Sequence, residues 1–309
     1  MKRGMTRYGH VSAQLFSGTT SHFTGKLVDA RASLENALSL WDPTFRRFSA
    51  APDDLHVQIL IFLSRTLLYL GYVAQARLRR DEALAEARRL SPYNLVFASC
   101  LAWYGDWASE GVESAPARLQ TAEKVLAISA EQGFAQWSPV GNIMRGWCLG
   151  VVGQTGSIPL MLKGIDDLRA TGCNIFIPLF LMVLAQVYRV AGQPEEGLNR
   201  LVEAAKLVER TRECWAEAEM FRLRGTLLLS MNEHTQAENY YRQALASAQR
   251  QSAKFWELRA AMSMARLWRD QGKREEARDL LAPVYGWFTE GFDARDLKEA
   301  KALLDTLTP

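Results

Sequence analysis

Residues 216–249 read AEAEMFRLRGTLLLSMNEHTQAENYYRQALASAQ, and this stretch decides the fold. Apolar residues recur at helical spacing on both sides of Asn232, which marks a tight turn between two helices. Gly225 lies seven residues before Asn232, Ala237 lies five after it, and Ala244 and Leu245 lie twelve and thirteen after it. The stretch therefore predicts a helical hairpin with small residues where its two helices come close.

The same frame of turn and small residues recurs along the whole chain. Its turn positions are Gly25, Gly71, Val112, Gly153, Gly192, Asn232 and Gly272. They are 46, 41, 41, 39, 40 and 40 residues apart. The copy at Val112 is loose, and in the copy at Gly153 the residues Ile158 and Ile165 occupy positions where small residues are expected. A fixed period of this length predicts an all-α solenoid of helical hairpins.

The repeat array predicts one domain over residues 1–309, because each hairpin of a solenoid contacts its neighbours and no separate core is needed. The expected hairpins span roughly residues 5–42, 53–90, 92–131, 134–171, 174–211, 213–251 and 254–290, followed by a capping helix at 296–307.

Local signals mark several helix ends. Asp53 is expected to be the N-cap of a helix over residues 55–70, and Ser91-Pro92 is a typical start for the third hairpin. Pro283 is expected to bend or end the second helix of the last hairpin.

The frame resembles the tetratricopeptide repeat, and Tyr188 lies where that family prefers an aromatic residue. The period exceeds the usual 34 residues by about six, or roughly three residues per helix. In this respect the chain resembles the long-repeat tails of bacterial signalling ATPases, adenylate or guanylate cyclase-linked proteins and large transcription activators. The segment from Phe255, FWELRAAMSMARLWRDQGKREEARDLLAPVYGWFTEGFDARDLKEAKALL, is especially similar to the ends of the cyclase-linked proteins. The resemblance implies a right-handed superhelical arc.

The function that this resemblance implies is a non-catalytic protein-interaction or sensor module of a bacterial signalling system, which binds a peptide or protein segment in its concave groove. The alternative is a small-effector or peptide-sensing domain that controls a cyclase, ATPase or transcription-activator output domain, and an enzyme is a distant third. Such tails accompany many output domains, so the resemblance is specific for fold and not for function. The chain begins inside a repeat without a polar cap, and we therefore expect a missing upstream domain or a late start site.

In tetratricopeptide arrays the first helix of each hairpin lines the concave groove. If this holds here, the residues expected to bind the partner are Arg65, Trp147, Met182, Gln186, Arg189, Arg222, Arg266 and Arg269. Arginine forks bind carboxylates, and Trp and Met offer apolar contacts, so the expected partner is a peptide with acidic residues or a free carboxylate. An equally weighted alternative is that Arg222 pairs with Glu219 and Arg266 with Asp270, within their own helices.

Charge and hydropathy argue against two classes of partner. The 37 basic and 34 acidic side chains give a net charge of +3, without the concentrated basic surface of a nucleic-acid binder. The arginines between residues 77 and 89 are interrupted by acidic residues and are expected to form a solvated outer helix face. The longest apolar run, 175–184, is too short to span a bilayer. We therefore expect neither nucleic acid nor membrane as a partner, while the terminal repeats offer surfaces for self-association.

No motif in the sequence indicates catalysis, a metal or a cofactor. The four cysteines form no CxxC pair, and the four histidines have no partner at metal-ligand spacing. Gly25-Lys26 resembles the end of a phosphate-binding loop, but six residues separate Gly18 from Gly25 where that motif has four, and the repeat frame explains both glycines. Reduced cysteines and the lack of a secretory signal predict a cytoplasmic location.

Overall fold

The structure is a computed structural model that describes residues 2–49 and 51–307. Within them the chain forms fifteen α-helices and two short 3-10 helices, at Pro43–Phe48 and Val112–Ser114. The α-helices are α1 (Lys2–Phe23), α2 (Leu27–Leu40), α3 (Leu55–Leu70), α4 (Val73–Leu90), α5 (Pro92–Ser109), α6 (Ala115–Gln132), α7 (Trp137–Gly150), α8 (Ser157–Ala170), α9 (Ile177–Val190), α10 (Pro194–Thr211), α11 (Glu217–Ser230), α12 (His234–Arg250), α13 (Lys254–Asp270), α14 (Arg274–Gly286) and α15 (Arg295–Leu307).

Consecutive helices pair into hairpins 1 to 7, beginning with α1 and α2 and ending with α13 and α14. The second helix of each hairpin packs against the first helix of the next, and α15 packs against hairpin 7. Over the described residues this confirms the predicted all-α solenoid of about seven hairpins and a C-terminal helix.

The turn positions of the frame have a left-handed backbone, which favours glycine and asparagine over other residues. Asn232 has φ 63°, and Gly192 and Gly272 have φ 71° and 83° at the corresponding positions. In the third copy the left-handed residue is Gly111, with φ 71°, whereas Val112 begins a 3-10 helix. The sequence frame was therefore one residue off in that loose copy.

The N-caps follow the predicted signals with one correction. Asp54, not Asp53, caps α3, since its Oδ1 accepts a hydrogen bond from the backbone N–H of His56 at 3.0 Å. Both aspartates precede the apolar helix, and the side chain that reaches the free N–H groups is the adjacent one. Ser91 caps α5 as predicted, because its Oγ accepts from the backbone N–H of Asn94 at 3.2 Å.

Pro283 lies inside α14, and the helix continues past it to Gly286. Proline removes one backbone donor, but it does not end the helix here. The loop 287–294 that follows carries Glu290 across to hairpin 2.

The ends of the array contact each other across the superhelix axis. Helix α3 of hairpin 2 packs against α13 of hairpin 7. Between hairpins 1 and 6, the backbone N–H of Cys214 donates to the carbonyl of Phe23 at 2.7 Å. In the loop after α14, Glu290 Oε1 accepts from the backbone N–H groups of Ala74 at 3.1 Å and Gln75 at 3.2 Å. The solenoid therefore winds back on itself instead of forming an open arc.

Gly225 allows the closest approach in the hairpin of α11 and α12. A Cβ atom at this position would lie 2.6 Å from Tyr241 Cε1 and 3.0 Å from the carbonyl oxygen of Ala237, and the second contact is backbone that cannot rotate away. We expect Gly225→Val to lower the free energy of unfolding by about 1–3 kcal/mol through overpacking. The exposed Gly9 has no atom within 4 Å of its virtual Cβ, so Gly9→Val should be neutral or slightly stabilising. Urea unfolding of both variants tests this, and equal effects would contradict it.

Glu290 caps the N-terminus of α4 from a loop far along the chain. Glu290→Ala should lower the free energy of unfolding by about 1 kcal/mol, the usual cost of losing a capping side chain. Glu209→Ala, at an exposed position of α10, is the control. Thermal unfolding followed by circular dichroism measures the difference, and identical melting temperatures for the two variants would show that Glu290 does not stabilise the closure.

Candidate functional site

Two of the first helices, α3 and α9, are buried on nearly all sides. In α3, 14 of the 16 residues are buried, which means that protein surrounds this helix. Helix α9 is similarly buried over most of its length. The concave side of the array is therefore largely filled by its own side chains.

Four aromatic rings fill the centre of the superhelix, and we call them the central stack: His22, Tyr69, Trp215 and Trp256. Tyr69 stacks on Trp215 and on Trp256, with ring centroids 5.1 and 5.0 Å apart. His22 stacks on Trp215 with centroids 5.8 Å apart. Burial, and to a lesser extent the nearby positive charge of Arg65, lowers the pKa of His22 well below its usual range. The imidazole is therefore neutral and serves as an aromatic ring of the core.

Arg65 lies beside the central stack with a side chain that is 1% exposed. Its guanidinium carbon lies 4.8 Å from the ring centroid of Trp215 and 5.1 Å from that of Phe176. Its nitrogens form no hydrogen bond of good geometry within the described residues. The Tyr69 hydroxyl is nonetheless close enough that Arg65 partly offsets the rise in the pKa of Tyr69 that burial causes. Aromatic faces thus take the place that a carboxylate usually occupies around a buried guanidinium.

The buried carboxyl group of Glu213 lies close enough to Arg65 to feel its charge. Its oxygens accept hydrogen bonds from Trp215 Nε1 at 3.2 Å and from the backbone N–H of Phe176 at 3.3 Å. Burial raises the pKa of Glu213 to about 7, and the two hydrogen bonds and Arg65 only partly oppose this shift. Phe176 itself has φ 67°, a left-handed conformation that phenylalanine rarely adopts.

A cavity of about 260 Å³ opens between the first helices of hairpins 1 to 5, and we call it the aromatic cavity. Most of its wall is apolar and aromatic; the rings include Phe16, Phe23, Phe62, Phe97, Tyr104, Trp137 and Phe176. Among the described residues, Asp53 is the one charged side chain in its lining, and Thr19, Gln58 and Gln136 add neutral polar groups. Three of its rings, those of Phe62, Tyr104 and Phe176, also contact Arg65.

Three of the eight residues predicted to line the groove are structural. Met182 and Trp147 are each 1% exposed. Gln186 Oε1 accepts hydrogen bonds from Trp147 Nε1 at 3.1 Å and from Trp107 Nε1 at 3.0 Å, and so joins α5, α7 and α9. These contacts bind the hairpins to one another.

Three of the predicted arginines are held in ion pairs. Arg222 donates two hydrogen bonds of 2.7 Å to Glu219, as the internal alternative predicted. Burial disfavours the charge of Glu219, but Arg222 and Arg259 outweigh it and hold its pKa below its usual value. Arg266 pairs with Glu299 of α15 at 2.8 Å and not with Asp270.

The third of these arginines, Arg269, takes Asp270 as its partner, at 2.8 Å. Arg189 is exposed and has no ion pair within the described residues. With Arg65 in the interior, none of the eight predicted residues lines the aromatic cavity. The structure thus separates them among the core, the ion pairs and the surface.

Most of the residues that line the aromatic cavity were not predicted from the sequence, although Gln58 and Val140 lie at the spacing expected for groove positions. Phe97, Trp137 and Phe176 lie near the N-terminal ends of first helices: Trp137 begins α7, Phe176 directly precedes α9, and Phe97 lies in the second turn of α5. An enrichment of aromatic residues at these positions is the signal that the sequence contained.

Two further classes of site receive no support from the described residues. Within residues 2–49 and 51–307, no group of three or more His, Cys, Asp or Glu side chains converges as a metal site would require. None of the helices in this part of the chain is both long and apolar enough to cross a membrane.

The raised pKa of Glu213 makes stability depend on pH. Its pKa is about 7 in the folded protein against an ordinary value of 4.5, so the folded state binds the proton more tightly. The stability from this proton is complete below about pH 4.5 and is lost as the pH rises to about 7. We expect Glu213→Gln to flatten the fall in melting temperature across this window.

Melting curves at half-unit steps from pH 4.5 to 8 provide the measurement, with exposed Glu131→Gln as the control. The comparison concerns the slope and not the absolute melting temperature, because glutamine replaces one of the two acceptor oxygens. A slope unchanged from the wild type would contradict the assignment.

Solved structures with a similar fold cover almost the whole chain. The chain is similar to a Rap protein complexed with competence and sporulation factor, with a TM-score of 0.60 and 12% identity over 96% of this chain and 87% of that one. It is similar to NprR in complex with its cognate peptide NprX, with a TM-score of 0.55 and 15% identity over 96% of this chain and 82% of that one.

A third similar structure is a Signal Transduction ATPase with Numerous Domains that has a tetratricopeptide repeat sensor, from Pyrococcus horikoshii. The TM-score is 0.50 and the identity 13%, over 91% of this chain and 41% of that one. The expected resemblance to tetratricopeptide repeat proteins is thus confirmed for the fold, which is all that such identities show. No family model matches the sequence. No curated protein matches it either.

Proposed function

We propose that this chain is a non-catalytic regulatory module that binds a short peptide and anchors one aromatic or large aliphatic side chain in the aromatic cavity. The observation that carries the proposal is the cavity of about 260 Å³, which several first helices line with aromatic rings. Ligand sites are typically concave and apolar with a few polar groups, and this lining has that composition.

The size of the cavity favours an anchor residue over a long bound segment. Sites for drug-sized ligands usually measure about 300–1,000 Å³, and this cavity is slightly smaller. The rings of the central stack pack against one another and join hairpins 1, 2, 6 and 7, which leaves the cavity as the space for an anchor residue. Thr19, Gln58 and Gln136 of the lining could hydrogen-bond to the backbone of the partner beside the anchor.

The chemistry of the lining favours binding over catalysis. Cys173 is its one thiol among the described residues, and burial raises the pKa of that thiol, which keeps it protonated. Asp53 is the one carboxylate that the described residues contribute to the wall, and none of them adds a histidine or lysine to it. These groups do not form a nucleophile with an adjacent base.

The fold neighbours add support for a peptide as the ligand, since one of them is NprR in complex with its cognate peptide. We further propose that residues 1–309 act as one domain in the cytoplasm, with the exposed Arg189 available to an acidic residue of the partner. A small apolar effector is the second candidate, and the modest volume of the cavity favours it.

Phe16 lines the cavity but is 62% exposed, so replacing it tests ligand binding without removing a buried core residue. The probe is the neutral fluorophore N-phenyl-1-naphthylamine, whose emission rises in an apolar site. Phe16→Ala should weaken its binding several-fold, since an aromatic contact of this kind contributes about 1 kcal/mol. Phe292→Ala, which removes a phenylalanine that is 48% exposed elsewhere, should leave it unchanged. Equal losses in the two variants would place the dye outside the cavity.

A blocking variant then identifies the class of ligand. Thr19→Trp places a large ring at the wall of the cavity and should abolish dye binding. A displayed heptapeptide library is selected on the wild-type protein and counter-selected on Thr19→Trp. Enriched peptides that share an aromatic or large aliphatic residue and displace the dye would support the proposal. Peptides that bind Thr19→Trp equally well, or no enrichment while the dye still binds, would overturn the peptide assignment, and the second result would favour the small effector.

A further inference from the structure

A second cavity lies at the junction of hairpins 2 and 3, between α4, α5 and α6. It measures about 240 Å³ and shares no lining residue with the aromatic cavity. We call it the basic pocket, because Arg88, Arg118 and Lys124 belong to its wall. Leu84, Leu95, Val96 and Ile128 give the same wall a large apolar surface.

Arg118 is the unusual member of this wall. Its side chain is buried, with 3% of the residue exposed, and Nε, Nη1 and Nη2 form no hydrogen bond within the described residues. The guanidinium carbon lies 5.2 Å from the ring centroid of Trp147. The nearest ion pair is loose, with Glu110 Oε2 3.8 Å from Nη2. A buried guanidinium normally carries several hydrogen bonds, so this one lacks the partners that its burial requires.

The carboxylates near Arg118 form shorter ion pairs with another arginine, Arg80. Arg80 Nη1 lies 2.5 Å from Asp106 Oδ1 and 3.2 Å from Glu110 Oε1. Asp106 is also the one acidic residue that lines the basic pocket among the described residues. Burial raises the pKa of Asp106, although Arg80 opposes the shift. Arg80 takes the short contacts of both carboxylates, so the one carboxylate within ion-pair distance of Arg118 in the described residues is that of Glu110, at 3.8 Å.

The other two cations of the pocket form no ion pair within the described residues. Arg88 and Lys124 are exposed, and no carboxylate lies within ion-pair distance of either in the described part of the chain. The neighbouring Arg89, by contrast, is paired with Glu86 at 3.4 Å. Two unpaired cations thus stand at the solvent side of the pocket and one at its buried side.

We infer that the basic pocket binds a carboxylate attached to an apolar body, with Arg118 and its exposed neighbours Arg88 and Lys124 holding the carboxylate and the aliphatic part of the wall holding the body. Arginine matches the planar, two-oxygen geometry of a carboxylate. The apolar wall disfavours inorganic phosphate, which has no surface to bury there. The carboxylate belongs either to a small organic acid or to the C-terminus of a peptide. This inference is independent of the function proposed for the aromatic cavity.

The probe is 4-phenylbutyrate, and its neutral analogue 4-phenylbutyramide is the ligand control, each measured by isothermal titration calorimetry. The wild-type protein should bind the acid and not the amide. Arg118→Met keeps most of the side-chain volume and should weaken binding of the acid at least tenfold, because it removes a charge-assisted contact. The same variant should melt no lower than the wild type, since it removes a poorly paired buried charge.

Matched arginines at the mouth keep the inference testable if Arg118→Met does not fold. Arg88→Gln should weaken binding several-fold, whereas Arg89→Gln, at the adjacent paired arginine, should leave it unchanged. Equal losses for the two, binding of the amide as tight as that of the acid, or unchanged binding by folded Arg118→Met would overturn the inference. Competition by inorganic phosphate at equal concentration would overturn the carboxylate assignment.

Two further measurements separate the sources of the carboxylate and the two sites. The tripeptide Gly-Leu-Phe with a free C-terminus should bind and its C-terminal amide should not, if the ligand is a peptide end. If the free tripeptide fails while 4-phenylbutyrate binds, the ligand is a small acid. Thr19→Trp, which blocks the aromatic cavity, should bind 4-phenylbutyrate normally. Loss of binding in that variant would show that the acid occupies the aromatic cavity and would overturn the inference.

Discussion

Stacking of aromatic rings across the superhelix axis is the interaction on which the rest of this structure depends. Tyr69 of hairpin 2 lies between Trp215 and Trp256, which belong to the segments that begin hairpins 6 and 7. Large rings bury much apolar area, and their stacking adds directional attraction. Together they draw the two ends of the array into contact, and the backbone bond from Cys214 to Phe23 and the cap that Glu290 provides to α4 follow from that contact.

Because the two ends of the array pack against each other, several charged side chains of the first helices are either buried or held in ion pairs. Arg65 is enclosed by aromatic rings, and burial raises the pKa of the Glu213 carboxyl group to about 7. Arg222 is neutralised by Glu219, whose pKa its neighbours hold down. The spaces that remain for ligands are the aromatic cavity among hairpins 1 to 5 and the basic pocket between hairpins 2 and 3.

Features that depend on near neighbours in the chain could be predicted from the sequence. The pairing of Arg222 with Glu219 was foreseen as an alternative because three residues separate them on one helix. The partner of Arg266 was not, because Glu299 lies on α15. Hairpin 4 has Ile165 where the repeat frame expects a small residue. The adjacent Gly164 lets the two helices of this hairpin approach closely instead, since a Cβ at Gly164 would lie 2.9 Å from the carbonyl oxygen of Pro139.

The sequence by itself determined the hairpins, their number and their turns, because helical periodicity and left-handed turn residues act within about 40 residues and recur with each repeat. Only the tertiary structure decided that the groove is closed. The path of a solenoid is the sum of small rotations between successive hairpins, and no single repeat encodes that sum. The rings that meet on the axis come from hairpins 1, 2, 6 and 7, so their proximity exists only once the rotations between these hairpins have accumulated. The aromatic cavity likewise needs hairpins 1 to 5, whereas the basic pocket forms between two neighbouring hairpins.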